Sequence, residues 1–126
     1  MPKQAIHTND APAAIGAYSQ AIKAGDTVYI SGQIPLDPAT GELVSNDIRD
    51  QIHQVFKNMQ AVAAAADGTL ADAVKVTVFL TDLGNFAAVN EIMAEYFPEP
   101  FPARAALEIS ALPKDSLVEA DAILSL

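Results

Sequence analysis

Three observations on this chain predict an α+β fold in which an antiparallel-rich sheet carries two helices on one of its faces. Residues 27–31, 74–81 and 117–126 alternate with a period of two, as half-buried strands do. Residues 47–66 and 86–97 instead carry single apolar stripes of helical period, so each helix has one face to bury. No linker, internal repeat or low-complexity segment divides the 126 residues, apart from an alanine-rich end to the first helix, so residues 1–126 are expected to form one domain.

Residues 21–24 and 27–31 read as a hairpin about Gly25-Asp26, with Val28 and Ile30 on one face and Thr27, Tyr29 and Ser31 on the other. Asp37-Pro38-Ala39-Thr40-Gly41 is a turn, since proline presets φ and glycine accepts a positive one. The first helix lines up Ile48, Ile52, Val55, Phe56, Met59, Val62 and Ala63, leaves Arg49, Gln54, Lys57 and Asn58 off the stripe, and ends at Asp67-Gly68. The β-branched run Val74-Lys75-Val76-Thr77-Val78-Phe79-Leu80-Thr81 is the clearest strand. Asp82 or Asn85 caps the second helix, whose stripe is Phe86, Val89, Ile92, Met93, Tyr96 and Phe97, and prolines 98, 100 and 102 stop it. A strand over 104–110 follows, then a turn at Leu112-Pro113-Lys114-Asp115. The last strand has Val118, Ala120, Ala122, Leu124 and Leu126 on its apolar side and Glu119 and Asp121 on the other. The predicted order is ββαβαββ. The sheet face away from the helices is expected to carry Tyr29, Ser31, Thr77, Phe79 and Arg104, a half-polar surface that a partner subunit would cover.

Composition excludes several function classes. Sixteen acidic against seven basic residues give a net charge of −9, which repels phosphate backbones and anionic membranes, so no nucleic-acid or membrane partner is expected. Without cysteine there is no disulfide, thiolate nucleophile or cysteine-held metal. His7 and His53 belong to no metal-binding motif. The amino-terminal residues lack the apolar core of a signal peptide, and the longest apolar stretch, 61–66, cannot span a bilayer. A soluble cytoplasmic protein is expected.

Arg104 stands in the apolar run Phe101-Pro102-Ala103-Arg104-Ala105-Ala106-Leu107. A guanidinium cannot shed its charge on burial and needs an anion. Glu108 shares its side of the strand but lies about 13 Å along it, too far for a pair, so the anion comes from another strand or from a ligand.

Four further segments accompany Arg104: Ala13-Ala14-Ile15-Gly16-Ala17-Tyr18-Ser19-Gln20, Ser31-Gly32-Gln33-Ile34-Pro35, the strand 74–81 with Asp82-Leu83, and Leu112-Pro113-Lys114-Asp115-Ser116-Leu117-Val118-Glu119. In this order and spacing they resemble the Rid family of reactive imine and enamine deaminases, in its RidA branch. The resemblance implies a chorismate-mutase-like subunit, a homotrimer with clefts between neighbours, and hydrolysis of 2-imino acids and their enamines to 2-keto acids and ammonia. 2-Aminoacrylate and 2-iminobutanoate are such substrates, and no cofactor or metal is implied. It also implies that Arg104 binds the substrate carboxylate, that Glu119 serves catalysis with Tyr18 as the catalytic cleft tyrosine, and that Ser31, Gly32 and Asn90 bind substrate in the cleft. Where the family commonly has cysteine or threonine two residues after the arginine, this chain has Ala106, which retains only a backbone role toward substrate. The Pro98-Glu99-Pro100 connection is short and is expected to reshape the cleft wall. Two other readings stay open at this level. Glu119 pairs with Arg104 across the sheet, or the protein is a trimeric sensor or partner-binding protein that holds a 2-keto acid with little or no turnover.

Overall fold

The computed structural model describes residues 2–126. Six strands form one sheet: β1 (Gln4–Ile6), β2 (Ala21–Ala24), β3 (Thr27–Gln33), β4 (Ala73–Leu80), β5 (Ala103–Glu108) and β6 (Val118–Ser125). Helix α1 (Ile48–Ala65) lies between β3 and β4, and α2 (Phe86–Tyr96) between β4 and β5. The strand order is β1-β2-β3-β6-β4-β5; only β4 and β5 are parallel, a pairing that needs a crossover and uses α2 for it. The carboxy-terminal strand thus enters the middle of the sheet, antiparallel to both neighbours, and Glu119 sits centrally.

Both helices pack on one face, as their stripes predict. Ile52, Val55, Phe56, Met59 and Val62 of α1 and Val89, Ile92 and Met93 of α2 share one core with Val28, Ile30, Val76, Val78, Leu80, Val118, Ala120, Ala122 and Leu124. Burying each larger side chain contributes roughly 1.5–3 kcal/mol. Asp47 caps α1 by accepting from the Asp50 amide at 3.0 Å. Asp82 instead caps a short 3-10 turn before α2, and Asn85 makes no capping bond.

Several details depart from expectation. Strand β1 has no alternating signal; with two of its three residues exposed, it forms by pairing with β2. Asn58, placed off the α1 stripe by its polarity, is fully buried, because its Nδ2 donates to the carbonyls of Ile34 and Leu36 at 3.2 and 3.0 Å. Val74 is exposed while Ala73 is buried: Ala73 pairs with Leu124 and Lys75 with Ile123, so one extra β4 residue bulges out and shifts the alternation. Strand β5 ends at Glu108, short of Ser110, and Leu126 is exposed. Among the described residues no helix is long and apolar enough to cross a membrane.

Candidate functional site

Arg104 does not lie on the face where alternation alone put it. It pairs in register with Val76, a core residue, and residues in register share a face; Arg104, Ala106 and Glu108 therefore lie on the helix side of the sheet. The error came from counting β5 without knowing its register. Ala105 and Leu107, in register with Thr77 and Phe79, take the open face instead. As β5 is the edge strand, the helices leave Arg104 largely exposed.

The side chain is nevertheless held. Its Nη1 donates to Asn90 Oδ1 at 2.8 Å and approaches Met93 Sδ at 3.9 Å, and its guanidinium carbon lies 4.7 Å from the centre of the Phe86 ring. Among the described residues the one side-chain ion pair is Arg49 with Glu91, so Arg104 has no protein anion. A cleft of about 450 Å³ opens beside it, lined by Asn90, Met93, Ala94, Phe101, Pro102 and Arg104.

Glu119 occupies a different place. It is in register with Phe79, on the open face of the central strand, and lines a cleft of about 600 Å³ together with Tyr18, Ser31, Gly32, Ile34 and Lys114. Burial, and secondarily the charge of Asp121 two residues on, raises its pKa above the ordinary carboxylate value. Ser31 and Gly32 form a bulge, since Ile30 pairs with Ala122 but Gln33 with Ala120. The bulge brings the Gly32 backbone under the Glu119 carboxylate. A Cβ at position 32 would lie 2.5 Å from Oε2 and 2.8 Å from Cδ. Gly32→Ala must therefore displace the carboxylate while leaving an exposed backbone of ordinary φ. If Glu119 serves catalysis as the resemblance implies, turnover should fall on the order of a hundredfold, the cost of a misplacement near 1 Å, with little change in thermal stability. Steady-state rates beside a melting curve check this.

Ser31 has spent both its donors. Its Oγ donates to the Ser19 carbonyl at 2.6 Å and its amide to the Gln20 carbonyl at 3.0 Å, so it meets a ligand as an acceptor. Tyr18 is exposed, and its hydroxyl accepts from the Ile15 amide at 3.3 Å, closing the 15–18 loop at the cleft rim. Ala106 is partly buried beside Val78 and lines neither cleft. His53 is structural, its Nδ1 2.7 Å from the Tyr96 hydroxyl.

Sequence reasoning missed that Phe86 and Met93 touch Arg104, because both also satisfy the core stripe of α2. The signal was present: Phe86, Asn90 and Met93 stand at i, i+4 and i+7, one line along the helix. It also read Pro113-Lys114 as a turn within a motif segment and gave neither a place at the site, whereas both residues wall the Glu119 cleft, and Lys114 is held there at φ 57° with its Nζ donating to the Gly41 carbonyl.

Arg104 and Glu119 of one chain cannot meet on one small molecule. Arg104 and Glu119 are two strands and three register positions apart, about 14 Å between Cα atoms, and point from opposite faces of the sheet. The same geometry removes a Glu119–Arg104 pair within the subunit.

Residues 8–125 match the family described as Endoribonuclease L-PSP. The chain is 55% identical over 121 residues to a RutC family protein of Pyrococcus horikoshii, covering 96% of each chain. It is 46% identical to the 2-iminobutanoate/2-iminopropanoate deaminase of Homo sapiens, over 96% of this chain and 88% of that protein. The crystal structure of RidA from a Psychrobacter species superposes with a TM-score of 0.94 at 51% identity, covering 98% of this chain and 99% of that one.

Proposed function

Since this chain belongs to the Rid/RutC family, in its RidA branch, we propose that it is a homotrimeric deaminase that hydrolyses small 2-imino acids and their enamine tautomers to 2-keto acids and ammonia. The observation that carries this reading is the pair of half-sites: an arginine held in place without an anion, and a carboxylate of raised pKa that no cation in its own chain reaches. The open sheet face supports assembly. Tyr29 and Leu107 are 51% and 47% exposed there, next to Thr77, Phe79 and Ile123, and a neighbouring copy that docked its β5 edge and α2 on this face would bring its Arg104 toward Glu119. The name of the relative from Homo sapiens supports the substrate class. The net charge of −9 speaks against the ribonuclease in the family's description.

In this reading the substrate carboxylate lies on the Arg104 guanidinium, a planar fork suited to it. Glu119 takes a proton from water as the water oxygen adds to C2 and the C=N pair moves onto the iminium nitrogen. The substrate reacts as its iminium, so this addition gives a neutral carbinolamine. Glu119 passes the proton it holds to the amine nitrogen, then takes the hydroxyl proton as the C–N bond breaks, leaving ammonia and a 2-keto acid, and hands that proton on to ammonia or solvent. An enamine joins this path once C3 is protonated. Tyr18, Ser31 and Gly32 shape the Glu119 side, and Asn90 steadies the arginine. The substrates also hydrolyse unaided, so positioning and one proton carrier suffice.

The base must be ionised, so kcat/KM is full above the pKa of Glu119 and is lost as pH falls through it. Because burial and Asp121 raise that pKa, the acid limb lies above the range of an ordinary glutamate. Asp121→Asn removes the second cause, and the limb should move to lower pH. A limb that stays or rises in a pH–rate profile refutes Glu119 as the titrating base. The function itself is tested by generating 2-aminoacrylate and following keto-acid release: the protein should accelerate it, and a rate equal to that in buffer would reject the assignment.

A further inference from the structure

We propose that Phe86 is a positioning residue for the carboxylate site, a π-face that fixes the plane of the Arg104 guanidinium so that one edge of the fork is presented to the ligand. The inference rests on the assignment of Arg104 as the carboxylate anchor and extends it to a residue otherwise accounted for as core.

An arginine on an exposed edge strand has several soft torsions to freeze before it can grip a carboxylate in two places, and freezing them subtracts from affinity. Here one stripe of α2 does the freezing in advance. Asn90 takes Nη1 at 2.8 Å, Met93 adds a soft sulfur contact at 3.9 Å to the same nitrogen, and the Phe86 ring centre lies 4.7 Å from the guanidinium carbon. Asn90 and Met93 fix one nitrogen but leave rotation about it open. A ring against the guanidinium removes that freedom. Among the described residues no protein acceptor is bonded to Nη2 or Nε, so the Nη2–Nε edge stays available for a second, parallel pair of bonds.

The ring is itself well placed for this. Phe86 is the first residue of α2, its amide donates to Leu83 O in the preceding 3-10 turn, and its side chain packs partly against the core. It therefore acts as a rigid surface and not as a mobile cover. The ring face carries partial negative charge, which attracts the cation without neutralising it, whereas a carboxylate at this position would occupy the fork and compete with the ligand. This separates Phe86 from an ordinary structural ion-pair partner: it orients the arginine and leaves its charge free for the substrate.

The test measures pyruvate affinity by calorimetry and the KM and kcat of imine hydrolysis on the intact protein, with three changes at one position. Phe86→Met fills similar space without a ring, Phe86→Tyr keeps the ring, and Phe86→pentafluorophenylalanine keeps the shape but removes the negative face. The methionine and pentafluoro variants should bind pyruvate roughly five- to tenfold more weakly, the size of one cation–π contact, and raise KM to match, with kcat within about twofold. The tyrosine variant should stay near the parent. Since the pentafluoro ring preserves packing, it decides the matter even if the methionine variant folds poorly. Parent-like affinity in the pentafluoro variant, or a tyrosine variant as weak as the methionine one, would reduce Phe86 to a core filler. Arg104→Ala is measured alongside. If it binds pyruvate as the parent does, the carboxylate-site assignment fails and this inference with it; if it loses binding while the pentafluoro variant does not, only the role of Phe86 is overturned.

Discussion

Arg104→Ala should abolish measurable pyruvate binding and lower kcat/KM for 2-iminopropanoate by about a hundred- to a thousandfold, as expected when one side of a desolvated charge pair is removed. The loss should appear mainly in binding, because in the proposed reaction the guanidinium holds a carboxylate that does not change. Stability should change little, since Arg104 makes no ion pair within the chain and its neighbour Val76 already closes the core. Arg104→Lys should recover only a small part of the affinity. An ammonium keeps the charge but not the planar fork, and it cannot use Asn90 and the Phe86 ring together. Calorimetry and initial rates on the two variants check this, and a large drop in melting temperature with unchanged substrate affinity would show that the cation is structural.

Glu119→Gln should separate chemistry from binding. It keeps the shape above Gly32 and removes the base, so kcat should fall by about a hundred- to ten-thousandfold while pyruvate affinity stays the same or tightens. Tightening would follow from electrostatics, because in the proposed site the native carboxylate would face an anionic ligand from a partly buried place that already raises its pKa. A sensor that binds 2-keto acids without turnover would gain from the same change and lose nothing, so paired measurements of rate and ligand-induced thermal shift decide between enzyme and binder. Equal losses of rate and affinity would reject the general-base role.

How far these residues could be read before the fold was known depends on what each one's placement rests on. The α1 and α2 stripes and the alternation of β6 are local properties, and Ile52, Val89 and Ala120 are buried as their spacing requires. Arg104 failed the same reading because the face of an edge strand depends on its register with β4, a non-local quantity. A glycine at position 32 of a strand suggests a bulge or a close approach, and both are found; what crowds it, the Glu119 side chain, belongs to a strand more than 80 residues away in sequence. Asn58 and Gln51 look like surface residues until the backbone groups they satisfy are known: Ile34 and Leu36 for one, Ser45 and Leu117 for the other. Arg104 was marked by its own setting, a cation in an apolar run; that Glu119 belongs with it came from motif resemblance. That one chain cannot bring them together came only from the strand order.

The central claim is therefore that each site is shared, with Arg104 from one subunit and Glu119 from its neighbour. Arg104→Ala and Glu119→Gln chains, each nearly inactive alone, can be unfolded, mixed in equal amounts and refolded, with co-purification on a tag carried by one of them confirming mixed trimers. In random assembly about one cleft in four receives its arginine from a Glu119→Gln chain and its glutamate from an Arg104→Ala chain, and is intact. The account predicts recovery of about a quarter of parental activity; mixed trimers no more active than the two parents would contradict it.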